Sequence, residues 1–255
     1  MSSIIYGPVP SWRLGRSLGI DLLSTKGKTC SFDCIYCQLG KTVHPLTERK
    51  EFVNLDKLAA ELKKVRGIPA DYATFSGVGE PTLASNLGEA IKLVKATLEL
   101  PVAVLTNSSL MAREDVCHDL SLADVVVAKV DAPDERLFHE INRPITRYTF
   151  AEILRTLKLF SEEYQGKLAL QMMFVEENKG CALEMARIAK QLLSDEVQIN
   201  TPLRPCAVQP LSPEEIATIR QAFSGLKSVV TVYEAPRPEA IPFNLEETLL
   251  RRPTF

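Results

Sequence analysis

The sequence predicts an α/β fold built on a parallel sheet. Two observations carry that prediction. Short strand-like runs alternate along the chain with longer stretches of helical periodicity. Several of the runs, such as Val125-Val126-Val127, are continuously apolar, as strands are when both faces of a sheet are covered. At 255 residues the chain is long enough for one large domain of this class. Residues 1–255 are therefore read as one domain, with 1–17 a cap segment and 225–255 a C-terminal extension.

Taken in order, Tyr6–Gly19 holds two prolines and three glycines, which exclude a helix there. Strands are expected at Leu18–Leu23, Tyr72–Ser76, Val102–Leu105, Asp124–Lys129, Leu168–Val175 and Val197–Asn200, with one more at Ser228–Glu234. Between them, Leu55, Leu58, Ala59, Leu62 and Val65 share one helical face, as do Leu87, Ala90, Ile91 and Val94. A shorter helix is expected within Leu110–Leu120. Phe150, Ile153, Leu154 and Leu157 form a further stripe, then Met185, Ile188, Ala189 and Leu192, then Ile216, Ile219 and Phe223. Two helix starts carry capping-box chemistry: Thr149 with Glu152, and Ser212 with Pro213 and Glu215. The three prolines of Ala235–Pro242 predict a surface wrap. Six strands and six helices fit either an open doubly wound sheet or a partial (β/α)6 barrel, and alternation alone does not separate the two.

Composition narrows the function classes. Hydrophobic residues make up 45% of the chain, ordinary for a globular protein. A formal net charge of -2 and a pI near 6.0 argue against non-specific binding to nucleic acid or anionic membrane. No apolar run is long enough to span a bilayer, and the N-terminus lacks the pattern of a signal peptide, so a cytoplasmic location is expected. In that setting the six cysteines are not expected to form a disulfide framework.

Three of them, Cys30, Cys34 and Cys37, form a C-x3-C-x2-C run after the first strand. Three thiolates at this spacing can hold three irons of a [4Fe-4S] cluster and leave the fourth open, whereas electron-transfer clusters normally take four cysteines. A structural zinc site completed by His44 is the alternative, and from these residues alone the choice is close. The loop position after a strand, rather than on a small hairpin, favours the cluster. Gly77-Val78-Gly79-Glu80-Pro81-Thr82 follows the second strand, and its glycines permit close backbone approach to a ligand; taken alone it is a strand-to-helix turn. Polar residues recur at the C-terminal ends of the strands: Thr106 and Asn107, Lys129 and Asp131, Gln171, Glu177 and Asn178, Asn200 and Thr201. Barrels bind ligands at that rim, although polar residues are common in any loop. Arg143, in Asn142-Arg143-Pro144, is a candidate for a carboxylate partner. Cys206, six residues past Asn200, is a candidate to face the substrate cavity, with Arg204 beside it able to bind an anionic group; equally, Cys206 reads as a small buried hydrophobe.

The cysteine run with Tyr36 before its last cysteine, followed by Gly79-Glu80-Pro81, resembles the signature of the radical S-adenosylmethionine (SAM) superfamily. Together with Tyr6–Gly19, Gln38-Leu39-Gly40, Asn142-Arg143-Pro144 and Asn200-Thr-Pro-Leu-Arg-Pro205, it resembles a family of Fe–S oxidoreductases related to the wyosine-base tRNA enzymes. Val78 departs from the glycine pair of the motif. Trp12 stands where arginine is expected and Cys206 where proline is expected, so substrate contacts are expected to differ. Some relatives run past a segment like Arg251-Arg252-Pro253 into a small extra domain, which is expected to be absent or removed here.

The resemblance implies a partial (β/α)6 TIM-like barrel, a [4Fe-4S] cluster on Cys30, Cys34 and Cys37, and SAM on the open iron. It implies reductive cleavage of SAM to a 5′-deoxyadenosyl radical that abstracts hydrogen from a substrate. Tyr36 would lie against the adenine, and Gly79 and Glu80 would hold the methionyl amino group. Asn107, Lys129, Asp131, Gln171 and Asn200 would ring SAM, with Asp131 or Gln171 on its ribose, and Arg143 would meet its carboxylate. A single three-cysteine site calls for a low-potential electron donor such as a ferredoxin or flavodoxin. A small-molecule substrate, a metabolite or cofactor precursor, is favoured over a tRNA base because the chain is acidic and lacks a basic tail. A non-enzymatic Cys3His zinc module is the reading from a different class.

Overall fold

The structure, a computed structural model, describes residues 3–253. The chain opens with a hairpin, β1 (Ile5–Ser11) and β2 (Gly15–Ile20), paired antiparallel with a bulge between Tyr6 and Val9. Two short strands, β3 (Thr29–Cys30) and β4 (His44–Pro45), pair separately and bracket the cysteine loop. The alternating body follows: α1 (Leu55–Lys64), β5 (Tyr72–Phe75), α2 (Leu87–Leu98), β6 (Val102–Thr106), α3 (Glu114–Ser121) and β7 (Val125–Lys129). Next come α4 (Glu135–Ile141), α5 (Phe150–Glu163), β8 (Lys167–Met173), α6 (Ala182–Gln191), β9 (Glu196–Asn200), α7 (Pro213–Gln221), β10 (Val229–Thr231) and α8 (Leu245–Arg251).

One eight-stranded sheet runs β1-β2-β5-β6-β7-β8-β9-β10, parallel from β2 onward. β1 and β10 are its free edges, so the sheet is a barrel left open. This is the partial barrel expected. Both capping boxes form, at Thr149–Glu152 and Ser212–Glu215, with Pro213 in the first turn of α7.

Strand periodicity splits the interior into two layers. Leu168, Leu170 and Met172 of β8, Val126 of β7, and Val197 and Ile199 of β9 belong to the large core shared with the helices. Their neighbours Ala169, Val125 and Val127 face the lumen and pack with Ala103. Leu14, at the β1–β2 tip, inserts among them near the N-terminal ends of those strands. Elsewhere the lumen is polar: Ser17 meets Thr74 at 2.7 Å, and Lys129, Gln171 and Asn200 line an open cavity.

Three expectations are corrected. The first expected strand, Leu18–Leu23, ends at Ile20, because the Asp21 carboxylate accepts from the Leu23 and Ser24 amides and turns the chain. The cap segment is a strand, β1; its Pro8 and Pro10 are tolerated because β1 is an edge. The strict alternation is broken by α4, which precedes α5 between β7 and β8, and α8 covers the β1 edge through the Gly7–Asn244 bridge. Among the described residues, no helix is long and apolar enough to cross a membrane.

Candidate functional site

The cysteine loop is held from both sides. Asp33 N donates to the Asn142 carbonyl at 3.0 Å and Ile35 N to the Ile141 carbonyl at 3.0 Å, which fixes the loop to the end of α4. Thr42 closes its far side onto Asp33 and Phe32 at 2.6 and 2.7 Å. A tight turn brings Cys37 N to the Cys34 carbonyl at 3.1 Å. Lys28 is buried beside the three thiols, with its ammonium 3.3 Å from the Gly40 carbonyl and 3.7 Å from Asp33. Burial alone would depress the Lys28 pKa; Cys37, Cys30 and Cys34 outweigh burial and raise it. Burial, then Glu80 and Cys34, pushes the Cys30 thiol up to about 12, and burial likewise raises Cys34. Deprotonation of these thiols therefore needs a compensating cation, as metal binding supplies. Asn107 and Asn142 each aim an Nδ2 donor at a sulfur, Cys30 and Cys34 respectively, both at 3.5 Å.

This donor set fits an iron–sulfur cluster: three sulfurs on one anchored loop, a buried ammonium among them, and amide donors to two of them. It does not fit the zinc alternative. His44, the fourth ligand that reading needs, is exposed on β4 with its Nε2 on the Lys26 carbonyl at 3.0 Å.

The Gly79–Glu80 loop lies against the cysteine loop. Thr29 N donates to the Val78 carbonyl at 2.9 Å and Glu80 N to the Thr29 carbonyl at 3.2 Å. A Cβ on residue 79 would sit 1.6 Å from the Thr29 oxygen, so only glycine permits this approach. Glu80 is buried and its carboxylate accepts from Thr82 N (3.1 Å), Thr82 Oγ1 (2.7 Å), Thr106 Oγ1 (2.7 Å) and Asn107 N (2.6 Å). Gly79 and Glu80, the residues expected to hold the methionyl amino group, are fixed in this way beside the cysteine loop. Glu80 ties the cysteine loop's neighbour to the end of β6, because burial demands that an ionised carboxylate be saturated.

Tyr36 is at the centre of a buried network. Its hydroxyl donates to Asp131 and accepts from Lys129 Nζ at 2.6 Å and Asn142 Nδ2 at 3.1 Å. The Lys129 ammonium lies 4.2 Å from the Tyr36 ring centroid. Asp131 also accepts from Met173 N and Asn142 Nδ2, both at 2.9 Å, which leaves it a scaffold rather than an open ribose acceptor. Asn178, which sequence reasoning noted only as a rim residue, is fully buried and donates to the Asp131 and Met173 carbonyls.

A cavity of about 300 Å³ opens beside this network. Tyr36, Cys37, Lys129, Gln171 and Asn200 line it, so the structure brings these expected residues together. Asn107 sits behind, under Cys30 and Ser31. Two candidates fall outside. Arg143 is exposed with φ 45°, a backbone turn that points its neighbour Asn142 inward in its place. Cys206 directs its thiol to the Val208 carbonyl at 3.2 Å and packs on the core instead of lining the cavity. Missed by sequence reasoning were Arg13, Gln38, Arg237 and Arg252, scattered arginines and an amide whose convergence only the fold reveals.

Comparison with known proteins gives a consistent picture. The model of the Radical SAM superfamily matches residues 25–189. The UPF0026 protein MJ1312 of Methanocaldococcus jannaschii is 35% identical over 235 residues, covering 89% of this chain and 72% of that protein. The UPF0026 protein slr1464 of Synechocystis sp. is 40% identical over 213 residues, 80% of this chain and 77% of that one. Among solved structures, TYW1 with a lysine-pyruvate adduct bound superimposes with a TM-score of 0.63 at 18% identity, over 82% of this chain and 74% of that one, a likeness of fold.

Proposed function

The chain belongs to the radical SAM superfamily, as an enzyme of a [4Fe-4S] cluster and S-adenosylmethionine, and from that premise we propose which of its residues serve each part of the chemistry. When bound, the cluster supplies the electron that cleaves SAM to methionine and a 5′-deoxyadenosyl radical, which takes hydrogen from the substrate. Cys30, Cys34 and Cys37 would hold three irons of that cluster. Lys28 offsets thiolate charge from within the loop, and Asn107 and Asn142 donate to the Cys30 and Cys34 sulfurs. Tyr36, Asp131 and Lys129 lock the loop against the end of β7. Gln171 and Asn200, on the lumen side of β8 and β9, orient the polar parts of SAM. Residues 1–255 act as one domain, a reading supported by β1 and α8 joining the same sheet edge. A ferredoxin- or flavodoxin-like donor supplies the electron, and the substrate is a small molecule rather than tRNA. The single observation that carries the proposal is the anchored three-cysteine loop, with the buried Lys28 beside its thiols and Cys37 lining the polar cavity.

Anaerobic reconstitution tests it. The wild-type protein is expected to hold about four irons per chain, to show a charge-transfer absorption bleached by dithionite, and to form 5′-deoxyadenosine. Cys34→Ala is expected to lose iron and product while keeping its far-ultraviolet circular dichroism. Full iron content and turnover in Cys34→Ala overturns the ligand assignment; a colourless protein holding zinc overturns the cluster; and about eight irons per chain removes the argument for an external donor.

A further inference from the structure

The cavity beside the cysteine loop lies where the sheet fails to close, and four arginines converge on it. Arg13 comes from the β1–β2 tip, Arg204 from the segment after β9, Arg237 from the segment after β10, and Arg252 from just past α8. Arg13, Arg204 and Arg252 are half-buried, and Arg237 is exposed at the mouth. Among the described residues none of the four has a carboxylate within ion-pair distance. Arg204 donates to the neutral amide of Gln38. Arg13 lies 5.0 Å from the Trp12 ring, and its Nε is a buried donor with no hydrogen-bond partner.

The same chain treats its structural arginines differently. Arg251, next to Arg252, is closed by Asp21 at 2.8 Å and Glu247 at 2.6 Å. Arg49 is closed by Asp115 and Asp119. The arginines of the cavity are left to repel one another: burial, then Arg252, lowers Arg13 to about 10, and burial, then Arg252 and Arg13, lowers Arg204 to about 9. A fold that gathers partly buried like charges without counter-ions is destabilised by them unless an anion completes the site. The molecule is slightly acidic overall, so this positive region is local. Arg204, through Gln38 beside Cys37, adjoins the cysteine loop, while the cations that act on the Cys30 and Cys34 thiols are Lys28 and Lys129.

We infer that the substrate is a multiply charged small oxyanion, a phosphate ester or a polycarboxylate, held by Arg13, Arg204, Arg237 and Arg252. The inference rests on the reading of this cavity as the reaction chamber. Arginine, with its planar fork of donors, is the side chain that binds either oxyanion bidentately, and the cavity's cations are four arginines beside a Lys129 already engaged by Tyr36. Convergence of the four on one cavity fits a compact anion; a nucleic-acid backbone is instead tracked by charges spread along an open groove.

Pyrophosphate and citrate serve as the two probes. Calorimetry on the reconstituted, SAM-loaded protein is expected to show binding of at least one, weakening with salt, and the tighter probe identifies the phosphate or carboxylate class. Arg13→Gln with Arg204→Gln is expected to weaken that binding by about tenfold or more, with iron content and SAM affinity unchanged. Phenylglyoxal labelling of the wild-type protein, read by mass spectrometry, needs no variant: the bound probe should protect these four arginines and leave exposed Arg136 and Arg187 labelled. Binding of neither probe overturns the inference, as does SAM affinity that falls with the substitutions, or binding of tRNA alone. A wild-type protein that binds the probe yet assembles no cluster would strike the proposed function and leave the anion site standing. One that cleaves SAM but binds neither probe would remove the anion site alone.

Discussion

Glu80 accepts four hydrogen bonds from Thr82, Thr106 and Asn107, and removing its carboxylate strands every one of those donors. Glu80→Ala is therefore expected to destabilise the protein by at least about 3 kcal/mol, read as a lower urea midpoint, and to reduce iron retention together with SAM affinity. A variant that keeps wild-type stability and iron content but loses SAM would make Glu80 a direct ligand of the ammonium group. At this scale the sequence made the candidate metal ligands visible, because three sulfurs within eight residues form a local pattern. It also pointed to Lys129, Gln171 and Asn200 of the cavity lining, since parallel strands place their last inward residue at one rim, and to Tyr36 through the motif of the cysteine run. It left Cys206 open between cavity and core, and the fold places it on the core; Arg143 falls outside the cavity because the direction of a loop side chain is set by its backbone and not by its chemistry, and the left-handed turn there turns Asn142 inward. The arginines of the cavity were unreadable as a group, being separated by most of the chain and gathered only by the open edge of the sheet.

Helices with long stripes were legible and short elements were not. α1, α2, α5, α6 and α7 carry periodic apolar faces, and two of them start with capping boxes that form as expected. α4 and α8 have seven residues each, too short for periodicity to stand out, and the prolines of β1 hide a strand that an edge position tolerates. Between elements, Arg49 is a tie. Its guanidinium is almost fully enclosed and reaches the Thr82 and Ala84 carbonyls at 3.0 and 2.9 Å as well as Asp115 and Asp119 of α3. The Asp115 pKa is lowered to about 2, first by its hydrogen bond to Arg113 and then, against burial, by Arg49. A carboxylate depressed in the folded state stabilises it above the unfolded pKa, near 4, and that increment is lost as pH falls through about 2. Asp115 is half-exposed, so screening keeps the increment below about 1 kcal/mol. The difference in urea midpoint between wild type and Asp115→Asn is expected to be present at about pH 5 and to vanish near pH 2. A difference that persists unchanged into acid would show that Asp115 acts through packing.

The whole molecule is an open barrel, and an open barrel must secure the edge that closure would have hidden. Here the two ends of the chain do so together. α8 lies along β1, with Gly7 N donating to Thr248 Oγ1 at 3.0 Å and Phe243 N to the Gly7 carbonyl at 2.8 Å. Arg251 completes the closure from a buried position. Its guanidinium meets Asp21 at the exit of β2, Glu247 one turn back on α8, and the Ser3 carbonyl at 2.8 Å. Burial would depress its pKa, and Asp21 and Glu247 more than reverse that. Asp21 in turn caps the turn that leads toward the cysteine loop, so one buried cation links the chain start, the entry to the metal site and the helix that delivers Arg252 to the cavity. Removing it leaves two buried carboxylates unpaired. Arg251→Ala is expected to lower stability by about 3–5 kcal/mol, whereas Arg251→Lys keeps the charge, loses the fork of donors and recovers only part of that loss. Denaturant unfolding of the three proteins, with pyrophosphate binding measured on whichever remain folded, should order both properties as wild type, then lysine, then alanine. Equal stability of wild type and Arg251→Ala would mean that α8 is held by its backbone contacts to β1 alone, and that the salt-bridged end of the chain is not what keeps the barrel's edge covered.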